Sequence, residues 1–363
     1  MPDFDLNDKF ASGLEPLWLP CEGPSQRVIL SSACIFRRNL DDVLFPPFRG
    51  DESQARTAYD TMLAALDKHP EFGFPIRLLP NELTPFQKSS LELSGLAPRE
   101  FLATTDYRAL LLSPDLKGAV RINDSNHLTI LKSAPLLSLS ELVSELNSMV
   151  SEIGMDIHYA RDPYFGYLCS EAELCGTGFS AHVHINLPGL LLMGHGQQIQ
   201  NAASELGFSI GFNRIKEKDK EYYSNHIARI DAANLPHCTP SAIVLKLNDF
   251  AKRLERHELD ARAKLLGEHH INETRDIIGR AAGSIAGSWS MDPTDAAVAL
   301  ATLWAGYELG IRTMPIPQKD FFKLFTKMLL QERLAQNNVI DTPLSMTSQE
   351  RALLLKTSLN LMV

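Results

Sequence analysis

Long apolar runs are missing from this 363-residue chain, and stretches such as Leu190 to Met193 are far too short to span a bilayer. Cysteine is scarce and unpaired: five residues, an odd number with no close Cys-x-x-Cys pair, which argues for reduced thiols and against a disulfide framework. Positive charge is in deficit. Thirty-five Lys and Arg against 44 Asp and Glu leave a net −9, so there is no overall pull on nucleic acid or anionic membrane. Gly and Pro, 21 each, stand near average usage, which excludes collagen-like and low-complexity classes. The amino terminus, Met1-Pro2-Asp3-Phe4-Asp5, has neither the basic nor the apolar region of a signal peptide. A cytoplasmic protein of ordinary globular composition, long enough for two domains, is the expectation.

What is present divides near residue 250. From about 27 to 250, strand-like runs (Arg27 to Leu30, Ala109 to Leu112, Ala119 to Ile122, Leu128 to Leu131, Phe179 to Leu187) are interspersed with helices. Ser138-Leu139-Ser140-Glu141 reads as a capping box opening a helix through Leu142, Leu146, Met149 and Val150. Asp115 to Gly118 reads as a turn between antiparallel strands. Regular β-α-β alternation is lacking, which favours α+β over a doubly wound sheet. Beyond 250 the strand signals fade. Helices are predicted over 249–266, from Asp292-Pro293 to a stop at Gly310, over 321–335 and over 348–361. The expected division is a mixed domain over 1–250 and an all-α domain over 251–363.

The most informative strand is Gly176-Thr177-Gly178 through Pro188. Alternation puts Phe179, Ala181, Val183, Ile185 and Leu187 on a buried face and Ser180, His182, His184 and Asn186 on a polar one. Two histidines one residue apart suggest metal ligands and, more weakly, a metal hydrolase. No nearby Asp, Cys or Glu makes a third ligand, so the plainer reading is a half-solvated strand with local hydrogen bonds. No metal ligand is assigned.

With Gly166-Tyr167-Leu168 before it and Val183-His184-Ile185-Asn186-Leu187-Pro188 at its end, this strand resembles the core strand of ATP:guanido phosphotransferases, the phosphagen kinases and bacterial protein-arginine kinases. Two further blocks are similar to family motifs, in the family's order. Ser31-Ser32-Ala33-Cys34-Ile35-Phe36-Arg37-Arg38-Asn39, followed by Phe45-Pro46-Pro47-Phe48, looks like S-S-R-x-R-x-x-R-N with its F-P-F. Asn123-Asp124-Ser125-Asn126-His127-Leu128 looks like N-E-E-D-H-L-R. The helical C-terminal part, including Glu308-Leu309-Gly310-Ile311, resembles the extra domain of the bacterial protein-arginine kinases. The resemblance implies an antiparallel sheet flanked by helices, as in the phosphagen kinase and glutamine synthetase-like catalytic domain, followed by an all-α domain.

It also implies roles position by position. Nucleotide-phosphate arginines of the family correspond to Ala33, Ile35, Thr129 and Ser180, and the acceptor-handling glutamate to Ser125. His127 and His184 match histidines on the nucleotide side. The reactive cysteine falls on Glu171, flanked out of register by Cys169 and Cys175. The family's R-G-x-x-G-E loop falls near 211–217, with Arg214 or Lys216 facing phosphate and Glu217 or Asp219 as the second carboxylate. Arg37 shares a strand face with Ala33 and Ile35 and is a candidate relocated cation, whereas Arg121 and Lys216 read as solvated surface. Of the C-terminal phosphoarginine pocket, Arg351 alone is retained.

Moving a γ-phosphoryl group is chiefly positioning and charge neutralisation. Losing one such preorganised group costs about 10²–10³ in rate. The expectation is therefore a protein-arginine-kinase homologue whose catalytic apparatus is dismantled, a pseudokinase acting by binding. The alternative is an active phosphotransferase using ATP and Mg with relocated residues. Partners implied by the resemblance are a second copy, a zinc-binding activator protein and the Clp protease machinery, with neither nucleic acid nor membrane.

Overall fold

The computed structural model describes residues 13–19, 27–47, 51–103, 106–217, 220–233, 238–339 and 344–361, with positions 6, 9, 10 and 342; over 213–225 only the backbone is described. The chain divides into two compact units. One holds Ser31–Val183 and Asp231–Phe250, the other Asp5–Leu30, His184–Ile230 and Ala251–Val363.

In the first unit the strands β1 (Ile29–Arg38), β2 (Ile76–Leu78), β3 (Ala109–Leu112), β4 (Gly118–Ile122), β5 (Leu128–Pro135) and the first residues of β8 (Phe179–Asn186) lie in the order β2-β3-β4-β5-β1-β8. A small hairpin of β6 (Arg161–Asp162) and β7 (Gly166–Tyr167) stands apart from that sheet. The pairings of β1, β2, β3, β4 and β5 with one another are antiparallel. Arg37 faces Thr129 across β1 and β5, and Arg121 faces Thr129 across β4 and β5. The β4–β5 register follows from a short link of five residues, Asn123 to His127, whose ends close through Asn123 N–H donating to the His127 carbonyl at 3.0 Å.

β1 starts later and runs longer than the Arg27 to Leu30 expectation, because nearly every residue from Ile29 to Arg38 is buried on both faces. That burial hides the alternation by which strands are recognised in sequence. Helix α3 (Leu139–Asp156) packs against β5 with Leu139, Leu142, Val143, Leu146, Met149, Val150 and Ile153, a 3–4 spacing that gathers one apolar stripe. Each such side chain contributes about 1.5–3 kcal/mol on burial. The capping box read at its start does not form: the Ser138 hydroxyl donates to the Pro135 carbonyl at 3.0 Å instead. Reciprocal boxes occur at Thr84–Gln87, opening α2 (Pro85–Ser94), and at Thr347–Glu350, opening α10 (Ser348–Ser358). Helix α1 (Glu52–Asp67), capped by Asp51, packs on α3 and β4.

The second unit takes the remainder of β8, with β10 (Lys220–Ala232, to Ile230) and β9 (Ser209–Glu217) following it in order, beside helices α4 (Pro188–Leu192) and α5 (Gly196–Glu205). Beyond residue 250 no strand occurs among the described residues. Helix α6 (Pro240–Leu265) begins nine residues before the expected Asp249, held by Thr239, whose hydroxyl accepts from the Ala242 N–H at 3.3 Å. Helices α7 (Ile271–Gly287), α8 (Pro293–Glu308), α9 (Gln318–Gln336) and α10 pack on one another around Trp304, Phe321, Phe322 and Phe325. Asp292 caps α8, accepting from the Asp295 N–H at 2.9 Å, as its Asp-Pro start indicates. No described helix is long and apolar enough to cross a membrane.

Candidate functional site

The chemistry-bearing positions of the first unit meet in one row across the sheet. Residues directly opposite in an antiparallel pair share a face. Thr129 on β5 is therefore flanked on the same face by Arg37 of β1 and Arg121 of β4. Arg37 reaches the other way and donates from Nη1 to the Ser180 hydroxyl of β8 at 2.8 Å. Ala33 and Ile35 continue that face along β1, at 1% and 8% exposure, and Thr129 is wholly buried. At Ala33, Ile35, Thr129 and Ser180 the row is thus neutral, and at three of the four it is closed to solvent.

Arg121 is buried, which corrects the expectation of a solvated residue. Its Nε lies 2.8 Å from an Asp124 carboxylate oxygen, and its Nη1 donates to the Leu96 carbonyl at 3.3 Å. Burial first, and then the positive charge of Arg121, draw the Arg37 guanidinium below its ordinary value, while Glu171, Asp124 and Cys169 act in the opposite sense. The two cations consequently sense one another with Thr129 between them. The Thr129 hydroxyl oxygen has no hydrogen-bond partner among the described residues.

Ser125 and Glu171, distant in sequence, are brought together. Asn126 Nδ2 donates both to the Ser125 hydroxyl (3.1 Å) and to a Glu171 carboxylate oxygen (3.0 Å), and the Ser170 hydroxyl donates to the Ser125 carbonyl (2.6 Å). Burial pushes the Glu171 carboxyl up, but hydrogen bonds from Ser125, Asn126 and its own backbone, with the Arg37 charge, outweigh it and hold it below the usual value. Glu171 is therefore an ionised acceptor. Its neighbour Cys169 offers no ready nucleophile: burial pushes the thiol up to about 12, far from the thiolate.

His127 is fully buried, and both ring nitrogens are engaged. Nδ1 accepts from the Leu40 N–H at 3.1 Å, which places the proton on Nε2, 3.2 Å from the Leu44 carbonyl. Burial lowers its pKa to about 4, so it is neutral at pH 7. Arg38, also buried, donates from Nη1 to the Arg37 and Thr177 carbonyls at 2.8 Å each and lies 3.8 Å over the Tyr167 ring. Gly178 makes this possible. At φ +61 a side chain would be strained, and its Cβ would stand 2.4 Å from the Arg37 carbonyl oxygen and 2.6 Å from Arg38 Nη1.

Residues 76–230, which include Arg121, Thr129 and Ser180 of this row but not Ala33, Ile35 or Arg37, match the family model described as "ATP:guanido phosphotransferase, C-terminal catalytic domain". Protein-arginine kinases of Bacillus cereus (strain B4264) and Bacillus anthracis (strain CDC 684 / NRRL 3495) are each 28% identical over 305 residues, 84% of this chain and 84% of theirs. Among solved structures, lombricine kinase superposes with a TM-score of 0.52 at 18% identity over 72% of both chains. The duplicated taurocyamine kinase of Schistosoma mansoni, with bound transition state analog components, gives 0.53 at 14% identity over 64% of this chain and 33% of that one. Over residues 76–230 the chain is therefore similar to the catalytic domain of the ATP:guanido phosphotransferases. Its fold is that of the phosphagen kinases, an antiparallel sheet flanked by helices with a helical C-terminal region.

The remaining family positions fall outside that row. His184 lies in the second unit, half-buried, where burial and then the charge of Arg229 push its pKa down to about 3. On the polar side of β8, His182 and Asn186 are buried while Ser180 and His184 are half-buried. Neither His182 nor His184 belongs to a three-ligand grouping among the described residues. The side chains of Arg214, Lys216, Glu217 and Asp219 lie outside the described residues. Arg351 is buried in the second unit with both terminal nitrogens occupied: Nη1 donates to the Met291 carbonyl (2.6 Å), Nη2 to Gln331 Oε1 (2.8 Å) and the Met346 carbonyl (3.0 Å).

A nucleotide triphosphate with its Mg needs several converging cations. The four positions of the row that the sequence resemblance sets against family arginines present methyl groups and hydroxyls, and Arg121 and Arg38 are engaged with protein acceptors. The described residues therefore do not fit a triphosphate held in the family's manner. Asp124 is the residue that sequence reasoning passed over, and with it the pairing that takes Arg121 out of solvent. Counting back from the tight β4–β5 link pairs Ile122 with Leu128 and Arg121 with Thr129, and that arithmetic was available from sequence.

Proposed function

We propose that this chain is a protein-arginine-kinase homologue in which phosphotransfer to arginine is lost or greatly reduced, and which acts by binding proteins. The observation that carries this reading is the neutral row Ser180–Thr129–Ile35–Ala33, with Arg121 turned onto Asp124. Removing one preorganised electrostatic group typically costs about 10²–10³ in rate, so losing several leaves little acceleration. Because such groups act as a unit, their losses are not summed one by one. A cytoplasmic homodimer, engaging a zinc-binding activator and Clp protease machinery, is the setting that the family suggests.

The test is incubation of the purified protein with Mg-ATP and an arginine-bearing protein substrate, followed by detection of acid-labile phosphoarginine. No ATP-dependent label above background is expected, and no heat on titrating Mg-ATP. Label that appears with wild type and disappears with Arg37→Ala would overturn the proposal. A second reading has one observation in its favour: Arg37 and Arg121 flank the unpartnered Thr129 hydroxyl, which supports a relocated phosphate contact in an enzyme still using ATP and Mg. Ordinary enzyme-ligand affinity, about 1 μM–1 mM, is what that reading requires of the titration.

A further inference from the structure

Away from the row, the first unit gathers a second set of polar side chains. Helix α1 ends at Asp67. His69 follows and enters the short 3-10 turn Pro70–Phe72. The last turns of α3 bring Glu152 and Asp156, four residues apart and so on one helix face, to the same place. One ligand atom from each of His69, Glu71 and Glu152 lies within 4.8 Å of the others. We propose that His69, Glu71 and Glu152 form a binding site for a first-row divalent metal ion of the zinc type, oriented by Asp156. The proposal is independent of the reading of the nucleotide row.

Three features support it. The first is spacing. His69 Nδ1 and Glu71 Oε1 are 3.0 Å apart. Zinc bonds of about 2.0–2.2 Å in a tetrahedron set neighbouring ligand atoms about 3.3 Å apart, so a small outward shift admits an ion. The second is orientation. His69 Nε2 is 3.0 Å from Asp156 Oδ2, the carboxylate–histidine arrangement that fixes the tautomer and leaves Nδ1 as the ligating nitrogen. Asp156 is itself held by Lys68 at 2.6 Å, the His69 ring stacks on Phe72 (centroids 4.8 Å apart, planes 9° apart), and Glu152 accepts from the Ser148 hydroxyl at 2.7 Å. Ring and carboxylates are therefore positioned before any ion arrives.

The third feature is charge. Glu152 and Asp156 stand in the last turns of α3, where the helix dipole disfavours anions, and no basic residue occupies that last turn. Glu71 adds a third carboxylate against Lys68 and at most one charge on His69. A divalent ion corrects the deficit and ties the segment after α1 to the end of α3. One imidazole with carboxylate oxygens suits zinc and its first-row neighbours better than magnesium, which favours an all-oxygen shell. With three protein ligands, a fourth position stays open to water.

The test uses full-length protein without a polyhistidine tag, stripped with a chelator and dialysed. Zinc(II) is titrated against a competing chromophoric chelator, and cobalt(II) is added separately to read its ligand-field absorption. One equivalent is expected to bind, raising the thermal midpoint. His69→Gln and Glu152→Gln should each weaken binding at least tenfold, and Asp156→Asn by about 10- to 100-fold with the cobalt spectrum shifted. These positions lie at or near the surface, and circular dichroism confirms that each variant is folded. Absence of stoichiometric binding by wild type would sink the site. Equal binding by wild type and both ligand variants would do so too, by assigning the metal to other residues.

Discussion

Arg262 in the second unit is buried and Arg37 in the first is half-buried, and their surroundings differ in kind. Arg262 lies between two carboxylates: Nε donates to Glu258 at 2.7 Å, Nη1 to Glu308 at 3.3 Å, and Nη2 to the Asn186 carbonyl at 3.3 Å. The carboxylates are engaged in turn. Glu258 accepts from the Gly189 and Leu190 N–H groups (2.8 and 2.9 Å), and Glu308 from the Trp304 indole (3.0 Å). Arg37 makes one side-chain hydrogen bond among the described residues, to the Ser180 hydroxyl, and the hydroxyl opposite it on Thr129 makes none. A complete network fixes a structure. An incomplete one keeps hydrogen-bonding capacity that the fold itself does not use.

The strongest way to break this comparison is to remove one partner from the complete network. Glu258→Ala leaves Arg262 buried with a single carboxylate and strips the Gly189 and Leu190 N–H groups of their acceptor. Breaking a buried pair on one side costs about 3–5 kcal/mol. Urea denaturation followed by Trp fluorescence should show that loss. A cost under about 1 kcal/mol, the range of exposed pairs, would mean that the network is not holding the unit.

Next in size is a feature that the units share. His127 in the first and His226 in the second are both held neutral, burial lowering each pKa to about 4. The unfolded chain takes up protons at these side chains as pH falls below about 6.5, while the folded chain does not until near 4. Stability is therefore whole above the unfolded value and declines through that window, by about 2 kcal/mol per histidine at pH 4.5. Unfolding free energies measured from pH 7 to 4.5 should fall accordingly, and His127→Gln should flatten the slope. An unchanged slope in that variant would place the loss elsewhere.

Legibility in the sequence followed a different divide, between local rules and sheet register. Turn chemistry and apolar spacing marked β3, β4, β5, α3 and α8 nearly in place, because local rules operate there: a hairpin turn at Asp115, a stripe through Leu142 and Leu146, an Asp-Pro cap at residue 292. The capping box at Ser138 failed because the Pro135 carbonyl offered its hydroxyl a nearer partner. The family blocks located the row but not its occupants. Ala33, Ile35 and Thr129 can be set against family arginines in one dimension. That Arg121 is buried beside Thr129 and paired with Asp124 is a fact about sheet register, and a residue-by-residue match does not carry it.

The finest test acts on the incomplete row itself. Arg37→Met keeps the apolar stem packed and removes the charge and the bond to Ser180. If the row is idle, stability changes by only about 1 kcal/mol, the net worth of one such hydrogen bond, well below the Glu258 effect. The readout that separates this from a purely local loss is Glu171, whose carboxyl is held down in part by the Arg37 charge. Its titration, followed by NMR, should move upward in the variant while the His127 resonances stay put, since the contacts of that ring, to Leu40 and Leu44, do not involve Arg37. A stationary Glu171 would show that its hydrogen bonds from Ser125, Asn126 and its own backbone hold it without help from the Arg37 charge.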